Sequence, residues 1–154
     1  SVGTTSKWAA AVTIDVSLFV HPSQKNVVAV RGTNTSSQNG NDRGIIGELT
    51  IDEVDAGVVA LVLTDASWRT STTEVTGWTG VAFDDSSWIA ATEIASHGDG
   101  PWGNILTTTG AKWIWSAPVP VSTNDKPNLE TAYVRKAFYF DVSGSSISNG
   151  PGCP

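Results

Sequence analysis

The chain has 154 residues, nine basic against fifteen acidic side chains and a formal charge of −6; 17 Ser and 18 Thr supply most of its polarity. Such acidity removes the counterion release that drives nucleic-acid binding and disfavours anionic membrane surfaces, so neither nucleic acid nor membrane is an expected partner. No apolar run is long enough to span a bilayer.

Val and Ile total 17 and 9 against 6 Leu, and β-branched side chains suit a pleated surface better than a helix. An all-β domain is therefore expected over residues 1–142, with a small, polar, Pro- and Gly-containing tail over 143–154 that packs loosely. In chain order, residues 12–16 alternate apolar and polar, 26–31 read NVVAVR, 45–51 read IIGELTI and 57–64 read GVVALVLT. Each has strand length. Residues 35–43 (TSSQNGNDR) contain no apolar side chain and predict a loop joining two strands. Strand patterning weakens from 65 to 104, where Asp84 can cap a single helical turn over 84–88. Two more strands follow at 112–116 and 132–142. In the second, Val134, Phe138, Phe140 and Val142 share a face, and Lys136 breaks it and marks its rim.

Several phrases, in order, resemble the galactose-binding-domain-like β-sandwich family, in particular the modules attached to α-L-rhamnosidases and related carbohydrate-active proteins. They are Asn26-Val27-Val28-Ala29-Val30 with Asn34, Gly44-Ile45-Ile46, Thr64-Asp65-Ala66-Ser67-Trp68-Arg69, Trp78, Phe83-Asp84-Asp85-Ser86-Ser87-Trp88, Gly100-Pro101-Trp102-Gly103, Trp113-Ile114-Trp115 and Tyr133-Val134-Arg135-Lys136-Ala137-Phe138. The resemblance implies an antiparallel β-sandwich of jelly-roll type and carbohydrate binding. In that family the Trp-Ile-Trp segment and the Arg-Lys-x-Phe strand usually open a module, whereas here they close the chain. A permuted domain, or a piece of a longer precursor completed by another segment or chain, is the expectation.

Seven tryptophans are the first candidates for chemistry, because an indole can stack on a sugar ring while its N–H meets a polar partner. Trp8, Trp68, Trp88, Trp113 and Trp115 adjoin strand-like or capping sequence and are expected in the core. Trp102 sits in the Gly-rich stretch 97–104, where ligand contact and structural plug both stand open, and Trp78 is intermediate. His97, Asp99 and Asn104 can supply donors and acceptors to sugar hydroxyls, although Asp99 can equally cap a turn. Asn34, Asn39, Asn41, Asp42 and Arg43 form a second candidate loop, dense in carbonyl oxygens of the kind Ca²⁺ takes. No EF-hand register is present, so calcium is implied only by rhamnose-binding relatives. Asn34-Thr35-Ser36 is a glycosylation sequon and fits a secreted protein.

The other catalytic patterns are weak. Asp84 and Asp85 are adjacent and point to opposite sides of an extended segment, so they are badly placed to flank one glycosidic bond. Two His and one Cys are too few for a zinc site, and no phosphate-cradling or Gly-x-Ser-x-Gly motif occurs. Cys153 can form no internal disulfide. The expected function is non-catalytic carbohydrate binding, as a lectin or binding module, through loops at one end of the sandwich; weak single-site affinity then calls for an oligomer, a second chain or a multimodular parent. The alternatives are a fragment or subunit of a glycoside hydrolase, and a cell-surface structural or adhesive protein.

Overall fold

The computed structural model describes residues 2–5, 10–34, 43–53, 57–100, 103–108, 110–116 and 130–142. Eight strands and no helix occur among them: β1 Asn26–Asn34, β2 Glu48–Glu53, β3 Gly57–Leu63, β4 Arg69–Ser71, β5 Ile89–Ala90, β6 Thr92–Ser96, β7 Lys112–Trp115 and β8 Glu130–Phe138. All pairing among the described residues is antiparallel, as the family resemblance implies.

One layer is a four-stranded sheet in the order β1-β8-β4-β5. The last strand in the chain thus lies beside the first, in register from Asn26 opposite Phe138 to Asn34 opposite Glu130. Asn26 fixes the start of β1: its buried amide donates to the carbonyls of His21 and Gln24 and accepts from the His21 amide. The second layer combines the β2-β3 hairpin with the β6-β7 pair. Ile45 joins them by exchanging backbone hydrogen bonds of 3.0 and 2.9 Å with Ile114. Thr64 is the other joint. Its buried hydroxyl donates to the Lys112 carbonyl (2.7 Å) and accepts from the Gly47 amide (3.1 Å), and its own carbonyl accepts from the Lys112 amide. A hydroxyl at this crossing satisfies backbone groups that the interrupted ladder leaves open.

The core between the layers contains Trp68, Ala91, Ile114, Trp115, Ala132 and Val134, with Val28, Val30, Ile45, Val62 and Ile94 packed on it. Gly32 permits the close approach, since a Cβ there would lie 2.8 Å from Ile45 Cδ1 and 3.2 Å from Trp115 Cζ3. Side chains alternate along a strand, so Tyr133 and Arg135 point to the opposite face of the sheet. Segment 72–88 covers that face. Trp78 stacks on Trp88 with centroids 6.2 Å apart, Tyr133 meets Trp78 edge-on at 5.3 Å, and Phe83 meets Trp88 at 5.5 Å. Arg135, fully buried, pairs with Asp85, donates to the Gly80 carbonyl at 3.0 Å and lies 5.1 Å from the Phe83 ring centre.

The apolar runs at 26–31, 45–51, 57–64, 112–116 and 132–142 all contribute strands, and Trp68, Trp88, Trp113 and Trp115 are buried. Two local expectations fail. Residues 12–16 form no strand, because their alternation finds no sheet to cover it: Val12 and Ile14 remain exposed. Residues 84–88 form a hydrogen-bonded turn, not a helical one; Asp84 still caps it, accepting the Ser86 amide at 2.9 Å, and the Trp88 amide bonds the Asp85 carbonyl. Trp8, Cys153 and the tail 143–154 lie outside the described residues.

Candidate functional site

The turn after β6 is built by its own polar side chains. Asp99 Oδ2 accepts the Ser96 amide (2.8 Å), its backbone amide bonds the Ser96 carbonyl and its carbonyl accepts the Gly103 amide. Gly98 and Gly103 have φ of +93° and +66°, which a side chain would resist. His97 organises the return of the loop: Nε2 accepts the amides of Ile105 and Leu106, each at 3.1 Å. That nitrogen is committed to the loop backbone, while Nδ1 is buried with no hydrogen-bond partner among the described residues. His97 thus orders the backbone of the returning loop.

Asn104 is exposed and folds over Gly98, where an added Cβ would come within 2.8 Å of its Oδ1. Asp99 and Asn104 are both exposed, and neither the Asn104 amide nitrogen nor Asp99 Oδ1 makes a hydrogen bond among the described residues. Glu48 ties the far side of this loop to β2, accepting from the Thr107 hydroxyl (2.9 Å) and the Thr108 amide (3.3 Å). Burial pushes its carboxyl up, but the hydrogen bonds from Thr108 and Thr107 together outweigh this and hold it below the ordinary carboxylate value.

The described ends of the two candidate loops lie apart. Ile45 pairs antiparallel with Ile114, and Ser96 pairs with Lys112, so Arg43 and His97 lie beyond opposite ends of β7. Strand rise alone separates them by roughly 13 Å. Arg43 is buried and ion-paired with Glu130, which opens β8, so its guanidinium braces the sheet end. Asn34 closes β1 opposite Glu130 with its amide nitrogen buried. Trp78 is buried, its ring covered by Trp88 and Tyr133. Trp102, Asn39, Asn41 and Asp42 lie outside the described residues. The oxygen-bearing side chains proposed for Ca²⁺, Asn39, Asn41 and Asp42, lie outside the described residues, and Glu130, the carboxylate beside Arg43, is ion-paired with it. Among the described residues no cluster of three or more His, Cys, Asp or Glu side chains could hold a metal ion.

A concave feature lies elsewhere. A cleft of about 340 Å³ opens between β3 and the end of β8, lined by Leu61, Leu63, Asp65, Ser67, Lys136 and Tyr139 among others. Lys136 Nζ donates to Ser67 Oγ at 2.6 Å, and Ser67 Oγ in turn donates to Asp65 Oδ1. The sequence signal for this cleft was Lys136, the charge that interrupts the apolar face of β8.

Over 105 residues, 68% of its length, the chain is 35% identical to an alpha-L-rhamnosidase of Streptomyces avermitilis. It is related to part of a glycoside hydrolase. The matched stretch makes up 10% of the length of that protein. No family model matches the chain, and no solved structure matches it significantly.

Proposed function

We propose that this chain is a non-catalytic carbohydrate-binding module of a secreted, glycoside-hydrolase-related protein. The sequence likeness to a tenth of an alpha-L-rhamnosidase carries the reading, because a stretch of that size suits an accessory module better than a whole catalytic apparatus. Geometry supports it. Hydrogen bonds hold the described part of the 97–104 turn on the sheet, Asp99 and Asn104 are exposed there as an acceptor and a donor, and Trp102, in the same stretch of sequence, is the indole proposed to stack on the sugar. Asp84 and Asp85, the adjacent carboxylates, are both in structural use, one on the Ser86 amide and the other on Arg135. Rhamnose-containing glycans are the favoured ligands, bound weakly at a shallow site and effectively only in several copies.

Glycan-array binding of the multimerised chain tests this. Binding to rhamnosyl glycans that Trp102→Ala and Asn104→Ala each abolish is the expected result, and unchanged binding in both variants removes the loop from the site. Robust turnover of aryl α-L-rhamnosides by the isolated chain would replace the reading with an enzymatic one.

A further inference from the structure

The cleft between β3 and β8 shares no residue with the 97–104 loop, yet it combines an aromatic surface, an apolar wall and a polar floor. We propose that it is a second saccharide site, which takes a neutral sugar ring through two adjacent hydroxyls. The proposal rests on the carbohydrate-binding reading but not on the loop that reading assigns.

Its volume of about 340 Å³ falls at the lower end of the ~300–1,000 Å³ of small-molecule sites. The polar floor is a chain from Lys136 through Ser67 to Asp65. An ammonium has three N–H donors, and Lys136 uses one on Ser67, which leaves two. Asp65 spends Oδ1 on the Ser67 amide and hydroxyl, while Oδ2 accepts no hydrogen bond among the described residues. A donor and an acceptor thus lie one serine apart. Vicinal sugar hydroxyls, each able to give and to take, match that pair. Because the two charges are opposite, the floor has no net preference for an anion, and a neutral ring is preferred over a uronate.

Tyr139 is 68% exposed although its neighbours Phe138 and Phe140 are buried. Anchoring on both sides fixes the backbone, so the ring is displayed on a short, restrained lever and loses little freedom when a sugar stacks on it. Leu61, 49% exposed, lines the same cleft from β3. Exposed apolar surface beside a hydrogen-bonded Lys–Ser–Asp floor is an arrangement for an amphipathic ring, with C–H groups on one face and hydroxyls at the edge.

Amide chemical-shift titration with L-rhamnose, D-galactose, D-glucose, D-mannose and D-glucuronate tests the site in the unmodified chain and in Tyr139→Ala, Lys136→Gln and Trp102→Ala. A neutral sugar is expected to shift the Leu61, Ser67 and Lys136 amides saturably. The shifts persist in Trp102→Ala and require about tenfold more sugar in Tyr139→Ala, the loss of one aromatic contact and its covered area. Lys136→Gln weakens binding without unfolding the chain, as its unchanged remaining spectrum reports. Shifts confined to residues 97–104 would overturn the second site and leave the carbohydrate reading standing. Cleft shifts with glucuronate alone would overturn the preference for a neutral ring. No shift with any of the five sugars, in cleft or loop, would overturn both.

Discussion

Arg135 shows how a single buried charge organises the outer face of the sheet. Its guanidinium is fully buried, and it reaches Asp85, the Gly80 carbonyl and the Phe83 ring from the middle of β8. Lysine cannot reproduce this planar fork. Arg135→Lys is expected to lower stability in urea denaturation by about 2 kcal/mol, and Arg135→Ala by about 3 kcal/mol, the scale seen when one partner of a buried pair is removed. An Arg135→Ala midpoint equal to that of the unmodified chain would show that segment 72–88 does not depend on this contact. Glu48 acts at the same scale on the candidate loop. Its folded carboxyl lies below the ordinary value, so its stabilising effect is complete above the unfolded value and is lost as pH falls through the folded one. A carbon-detected titration should place Glu48 below the ordinary 4.5, with faster amide exchange at Thr108 on the acid side of that midpoint. A midpoint at or above the ordinary value would break the link between Glu48 and the loop.

Among the elements, the β6-β7 connection depends on backbone shape more than on side-chain type. Gly98 at φ +93° sits beneath Asn104. In Gly98→Ala a side chain meets both an unfavourable φ and the Asn104 amide, which should cost about 1–2 kcal/mol and displace the donor from Asp99. Sugar-induced shifts at 97–104 should then vanish while the cleft beside β3 is unaffected; intact loop binding in this variant would refute the assigned pair. The elements also divide by how clearly their residues announce them. β1, β3, β7 and β8 are dense in apolar or β-branched residues, and the pattern alone marks them. β4 and β5 have three and two residues, too short for any periodicity to develop. Residues 12–16 show the converse: alternation records which face could be buried, not whether a partner sheet exists. The separation of Arg43 from His97 depends on the register of Ile45 against Ile114, a pairing across 69 residues of chain that no local pattern encodes. Trp78 is intermediate by its local sequence, between Gly77 and Thr79, because its cover, Tyr133, comes from the far end of the chain.

At the level of the whole molecule, β8 belongs to two packing layers at once. Ala132 and Val134 face the core between the sheets, whereas Tyr133 and Arg135 face the aromatic layer of Trp78, Phe83 and Trp88. Release of segment 72–88 would uncover Tyr133 and leave Arg135 without Asp85, on the same strand that holds Ala132 and Val134 in the inter-sheet core. Tyr133 strengthens the coupling by donating its hydroxyl to Glu74 at 3.3 Å, and burial, followed by the Glu74 charge, pushes its phenol pKa up. Unfolding is therefore expected to be a single transition in which the near-ultraviolet dichroism of the Trp78–Trp88 pair and the fluorescence of Trp68 and Trp115 disappear together. Trp78→Ala, though remote from the inter-sheet core, should destabilise by about 3–5 kcal/mol and move both signals to the same lower denaturant midpoint. Two separated midpoints, with the dichroism lost first, would mean that segment 72–88 detaches as an independent unit and that β8 does not couple the layers.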